Sequence, residues 1–401
     1  MLPLNSPPGA LDPSEPPIPP DLSFLRSNVL SSTNDPSSSV TAKIDAHIAY
    51  LDAILNYYYS TTQDPVLENE ITITSINASY FYQLLAQDLL TRAYTDNSTE
   101  AWSRSGSYNK KSIGILQFLL ESAIPRTTEL LTQVQTYILC WTLFQQLGIV
   151  VLSISKLRGQ LYGYSAKRPG YETLLDFQES DLKELSKSSS LYARLCIGCR
   201  DSCTKLLSTH LSKDVHYLIR YLDALTFLLL SMDQYKQDQC GVALGMLNSA
   251  VDSLSQGLLS SKDLKLIHDT KFKDKLKGKI PDLKGMQLKQ KLKFSGKKGI
   301  ETNVPSTSTK YNKGALHPLL NNTLQDFIIP LTMLLQYRYT KTNEKLSFQP
   351  IMQDRQQILK LWPQGKIPEV NGTKWVFEDG SLREANTAGP HNTSTDAVEY
   401  F

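Results

Sequence analysis

At 401 residues the chain can bury a large core, and length alone allows two or three ordinary domains. Its 41% hydrophobic and 20% charged residues match a globular protein and exclude a wholly disordered one. The formal net charge of +3 is uneven, because residues 262–298 hold 13 Lys against four Asp, about +9, which leaves about −6 for the rest.

Five Cys (Cys140, Cys196, Cys199, Cys203, Cys240) are an odd number in a long chain, which excludes the disulfide framework of a small secreted domain and fits a reducing compartment. The first twenty residues have neither a basic n-region nor an apolar h-region, so no secretory leader is expected. The sequons at Asn77, Asn97, Asn321, Asn371 and Asn392 are then expected to stay unmodified.

Eight of the 20 Pro fall in the first twenty residues, and Pro removes a backbone donor and breaks helices, so residues 1–21 read as an extended, flexible arm. After a Ser-rich stretch, Ile44, Ile48, Leu51, Leu55 and Tyr58 recur at steps of three and four and predict a helix. The alternating EITITS that follows suits a short strand. Further helices are predicted over 76–94, 110–123, 129–161, 188–210, 215–234, 241–258 and 323–339. Residues 130–155 carry no charge and are long enough to span a bilayer, yet Gln133, Gln135, Gln145 and Gln146 suit a buried central helix better. Long amphipathic helices joined by short turns pack as helical hairpins. The tail, residues 366–401, reads as largely disordered.

Cys196, Cys199 and Cys203 (CIGCRDSC) are spaced to share a helix face and could grip a metal, but a closed site needs a fourth ligand, and His210 and His216 stand at no recognised zinc spacing. Core packing is the better reading, since they continue the apolar face of Leu191 and Leu195. The six His are scattered, and no nucleophile elbow, H-E-x-x-H, P-loop or dinucleotide-binding fingerprint is present. No catalytic residue, cofactor or metal is expected. The lysine-rich stretch has two aromatics, Phe272 and Phe294, and no Arg, which argues against nucleic-acid readout and leaves a solvated insertion (262–313) or contact with an anionic membrane.

Residues 215–254 resemble the late helical hairpin of Bro domains, with Gly241, Leu247 and Ala250 at the positions of its G-x-x-x-x-x-L-x-x-A pattern. KTNEKLSFQPI resembles the closing signature of that family through Asn343, Glu344, Phe348, Pro350 and Ile351, although the order of Pro and Ile is reversed. The short chain and the SFQP wording point to the fungal PalC-like members. The resemblance implies a mostly α, boomerang-shaped, tetratricopeptide-like Bro domain over residues 22–365, with a small β element near the N-terminus. It implies a non-enzymatic adaptor of alkaline-pH signalling, cytoplasmic with recruitment to plasma membrane or endosome. Its partners would be other components of the pH-signalling complex and the C-terminal amphipathic helix of the core ESCRT-III filament subunit, which docks by helix-in-groove recognition. The family's patch maps to Leu218, Tyr221, Leu222 and Leu225, residues that equally suit a core because their helix is apolar around most of its circumference. Two alternatives remain: a lipid-binding helical scaffold acting through the lysine-rich insertion, and another ESCRT-associated sorting adaptor.

Overall fold

The structure, a computed structural model, describes residues 7–9, 11, 18–61, 64–125, 127–162, 174, 177–209, 211–259, 267 and 316–385. The lysine-rich insertion, apart from Ile267, lies outside them, as does the tail beyond residue 385. The described residues are mostly α-helical and divide into two compact units.

The smaller unit comprises Pro7–Leu85, Ser107–Ile138 and the chain from Asn371 onward. Its first helix, α1 (Pro20–Asn34), starts on a proline at the one place where a missing N–H costs nothing and buries Leu22, Arg26 and Val29 along one stripe. Residues 20 and 21 therefore belong to a helix and not to the arm. Helix α2 (Val40–Ser60) is capped by Ser39, whose hydroxyl accepts from the Ala42 N–H at 3.1 Å. Helix α3 runs from Pro65 to Asp96 and absorbs EITITS. The strand expected there is absent: Ile71, Thr72 and Thr74 are all buried, so the alternation does not mark two faces. The Thr72 and Thr74 hydroxyls donate back to the Glu68 and Glu70 carbonyls at 2.7 Å, which satisfies them within the helix, and packing overrides β propensity.

Helix α4 (Thr99–Glu121) returns antiparallel to α3. The Ser112 hydroxyl donates to the Ser79 carbonyl at 2.8 Å, and the Gln83 and Asn109 carboxamides pair side by side. The small β element lies at the C-terminal side, not near the N-terminus: β1 (Trp375–Glu378) and β2 (Ser381–Glu384) form an antiparallel hairpin around Gly380. Residues 371–385 are thus not a disordered tail. The Thr373 N–H donates to the Lys110 carbonyl at 2.9 Å and the Trp375 indole to Lys111 at 3.2 Å. A side chain at Gly114 would overlap the Thr373 backbone. On the other side Asp52 accepts from the Leu382 N–H at 2.7 Å.

The larger unit comprises Ala86–Gly106 and Leu139–Val370, with the first six residues. Helix α5 (Thr128–Tyr162) contributes to both units. After it come α6 (Glu179–Leu185), α7 (Ser189–Thr204), α8 (Ser212–Lys236) and α9 (Cys240–Ser255). Helix α8 packs against both α7 and α9. The α8–α9 turn is closed by Asp238 at φ 59°, a left-handed position that a short polar side chain tolerates. Then α10 (Pro318–Thr323) passes through a π-helical turn, Leu324–Ile328, into α11 (Ile329–Thr342). A second π turn, Asn343–Ser347, leads to α12 (Arg355–Lys360). Helices α5 and α8 are both long and apolar enough to cross a membrane, but their most apolar 18-residue stretches are 61% and 72% buried within the protein.

Each unit pairs a buried carboxylate with a guanidinium and a tyrosine hydroxyl. In the smaller unit Glu70 accepts from Arg26 at 2.6 Å and from the Tyr50 hydroxyl at 3.0 Å. In the larger unit Asp326, on the first π turn, accepts from Tyr94 at 2.6 Å and meets Arg158 at 3.0 Å. His47 is satisfied on one nitrogen and not on the other. Its Nδ1 donates to the Lys43 carbonyl at 2.7 Å, while Nε2 is buried without a partner beside Phe81. Burial lowers its pKa from the ordinary 6.5 to about 4.

The unfolded chain therefore takes up a proton before His47 does as pH falls. The stability tied to the neutral imidazole is complete above about pH 6.5 and is lost between there and about pH 4. At 1.36 kcal/mol per pKa unit this is on the order of 3 kcal/mol. Denaturant unfolding of wild type and His47→Leu is expected to show the difference between them move in the variant's favour by about that amount from pH 7 to pH 4. A difference independent of pH would refute the assignment.

Candidate protein-interaction surface

From Ala224 to Met232 helix α8 is buried on every face, and a helix of that kind must be covered all round. Leu218, Tyr221, Leu222 and Leu225 are 1%, 0%, 0% and 0% exposed. The Tyr221 hydroxyl shares a hydrogen bond of 2.6 Å with Thr323. These four residues are core and form no docking patch; their helix is apolar all round, so periodicity could not show which side faced solvent. The cysteine cluster is core as well: all five Cys are buried and reduced. Burial pushes the Cys140 thiol up to about 12 and raises the Cys196 and Cys199 thiols well above their ordinary range. Among the described residues no group of three or more His, Cys, Asp or Glu stands close enough to hold a metal ion.

Apart from Leu139, the exposed large apolar side chains of the larger unit gather instead on residues 343–370, which leave α11 and run as a strap over α9, α8 and α7. The strap follows glycines. At Gly241 and Gly245 an added Cβ would overlap the carbonyl oxygens of Pro350 and Met352, and at Gly198 that of Lys366. Only a residue without a side chain lets the two backbones meet so closely. The Met352 N–H then donates to the Gly241 carbonyl at 3.2 Å and the Lys366 N–H to Arg194 at 2.8 Å.

The start of the strap is fixed by two carboxamides. Asn343 donates to the Gln349 carbonyl at 2.9 Å and accepts from the Gln349 N–H at 3.0 Å, which closes residues 343–349 into a loop. Within it the Phe348 N–H reaches the Asn343 carbonyl at 2.8 Å, and Phe348 takes the left-handed φ of 50°. Gln349 accepts from the Gly241 N–H at 2.9 Å and donates to the Asp238 carbonyl at 2.8 Å. It so satisfies one of the orphan donors at the start of α9. Sequence reasoning picked out Asn343 and passed over Gln349, whose only signal is an uncharged polar residue between Phe348 and Pro350.

Farther along, Asp223 of α8 meets Arg200 at 2.6 Å and Arg355 at 3.9 Å. Burial raises its pKa and the two guanidiniums oppose that rise. Arg355 lies over the Phe227 ring at 5.2 Å, and Trp362 packs edge-on against the same ring at 4.9 Å. On this anchored strap Leu346 and Phe348 are 77% and 75% exposed, with Ile351, Leu361 and Ile367 also exposed. Large apolar groups held in water by a fixed backbone suit docking, because binding gains their burial without the cost of ordering the loop.

Gly245→Val is expected to lift the strap from α9, lowering the melting temperature by several degrees and speeding hydrogen exchange at Met352. Gly106→Ala, where an added Cβ meets nothing within 4 Å, is the control and should be neutral or stabilising by about 0.4–1 kcal/mol. Equal melting for both variants would contradict the strap geometry.

Three comparisons bear on relatives. The chain is 35% identical over 401 residues to the uncharacterized protein YGR122W of Saccharomyces cerevisiae (strain ATCC 204508 / S288c), covering 96% of this chain and 94% of the yeast one. A solved structure concerned with endosomal targeting by the Bro1 domain aligns over 80% of this chain and 88% of its own, at 14% identity and a TM-score of 0.37. The profile of a family of unknown function, DUF5355, matches residues 65–401, and the chain belongs to that family.

Proposed function

We propose that the protein is a non-enzymatic adaptor that binds other proteins through the strap, with Leu346 and Phe348 as anchors and Ile351 beside them. One observation carries this reading: two large apolar side chains stand 77% and 75% exposed on a turn whose backbone is fixed by hydrogen bonds from Asn343 and Gln349. Such a turn loses little freedom on binding, and apolar anchors of this kind commonly supply most of the affinity at an interface.

The partner and pathway follow from the likeness to PalC-like Bro domains. The two segments that carry it are the α8–α9 hairpin and KTNEKLSFQPI, and the latter is the start of the strap. The proposed partner is the C-terminal amphipathic helix of the core ESCRT-III filament subunit, whose apolar stripe would receive Leu346 and Phe348. The adaptor would act in the cytoplasm, be recruited to plasma membrane or endosome, and help assemble the complex that activates a pH-responsive transcription factor by proteolysis.

The test is titration of the purified chain with that helix as a peptide, alongside thermal melting. Leu346→Asp/Phe348→Asp is expected to weaken binding by at least thirtyfold, about 2 kcal/mol, with melting unchanged because both side chains face water. Leu222→Asp is expected to fail differently, by placing an unpaired charge in the core and unfolding the protein. Wild-type affinity in the double variant would rule out the strap, and no binding by the wild-type chain would rule out the partner.

A further inference from the structure

Far along the sequence from the strap, the smaller unit carries a second device that recognises polypeptide. Asn77 on α3 is 3% exposed, and its carboxamide grips the main chain of Gly9. The Gly9 N–H donates to Asn77 Oδ1 at 3.1 Å, and Asn77 Nδ2 donates to the Gly9 carbonyl at 2.9 Å. A buried carboxamide that takes both backbone groups of one residue reads the main chain without regard to most of its side chains. Its one requirement is steric. A Cβ on Gly9 would lie 2.8 Å from the Ile73 methyl Cγ2, and a β-branched side chain on a helix has little freedom to move away.

Beside this contact lies a cavity of about 420 Å³, bordered by Pro8 and Gly9 and by Pro65, Asn69, Leu130 and Gln133. That is within the usual range for a ligand pocket, roughly 300–1,000 Å³. Pro7 and Pro8 have their φ set by their rings, so the segment enters the site with little conformational entropy to lose. If the segment left, Asn77 would exchange its two main-chain hydrogen bonds for water, and a peptide with the same small residue could restore both.

We propose that this face of α3 and α5 is a groove for a Pro-Gly peptide, and that the chain's own Pro7–Gly9 occupies it as a ligand in cis. Pro7–Gly9 closes the groove. Release of the arm opens it to a Pro-Gly segment supplied in trans. Asn77 also heads a sequon, and its burial under the arm leaves it no room for a glycan.

The experiment uses the full chain, wild type and Gly9→Val, titrated against a fluorescein-labelled synthetic peptide of residues 1–20, with anisotropy as the readout. The Gly9→Val chain, whose arm no longer fits, is expected to bind the peptide at least tenfold more tightly than wild type. A peptide carrying the same Gly9→Val change is expected to show no saturable binding to either chain; this comparison leaves the protein unaltered and is independent of any folding effect. Adding Asn77→Leu to the Gly9→Val chain should cost at least tenfold. Equal affinity of the two chains for the wild-type peptide, whether strong or undetectable, overturns the proposal, and so does equal binding of the two peptides.

Discussion

The burial of the middle of α8, where residues 224–232 are all buried, is the constraint from which the larger unit follows. Over that stretch, where Leu225, Phe227 and Leu228 are all 0% exposed, the helix has no face to give to water. Each such side chain is worth about 1.5–3 kcal/mol when taken out of solvent. Helices α7 and α9 cover two sides, and the strap runs over the three of them. To lie that close it must meet backbone with backbone, hence Gly241, Gly245 and Gly198 beneath it. The exposure of Leu346 and Phe348 is then the other side of the same geometry, since the inner face of the strap is taken up by main-chain contacts.

Polar burial is handled alike in the two units. Each has one carboxylate that accepts from a tyrosine hydroxyl and pairs with a guanidinium: Glu70 with Tyr50 and Arg26, and Asp326 with Tyr94 and Arg158. Such clusters add little net stability, because desolvation offsets much of the Coulombic gain, yet removing one member strands a charge in the interior. They tie segments distant in sequence, α1 to α3 and the Asp326 turn to Arg158, into one arrangement.

The helices were legible wherever apolar residues kept a single face. In α2 the spacing of three and four survives for five positions within the helix, and in α9 Leu244, Leu247, Val251 and Leu254 keep it to the last turn. Reading failed where the physics was not periodic. EITITS alternates like a strand but is buried on both sides. Helix α1 carries an arginine in its buried stripe, and the partner that makes this affordable, Glu70, is 44 residues away. The β1–β2 hairpin rests on Asp52, Lys110 and Lys111, which nothing near residue 380 announces. Leu218, Tyr221, Leu222 and Leu225 were assigned to docking by likeness, and a helix apolar all round could not contradict that from sequence. The strap residues Asn343 and Phe348 were visible only through the same likeness, and Gln349 not at all.

The central claim is that this chain keeps α8 as core and offers the strap to partners. Hydrogen exchange of the full chain with and without the ESCRT-III helix peptide tests it most directly, because exchange reports on both segments in one measurement. Slower exchange over residues 344–352, with residues 215–234 unchanged, is the expected result. Slowing confined to 215–234, or no change over 344–352 at saturating peptide, would contradict it.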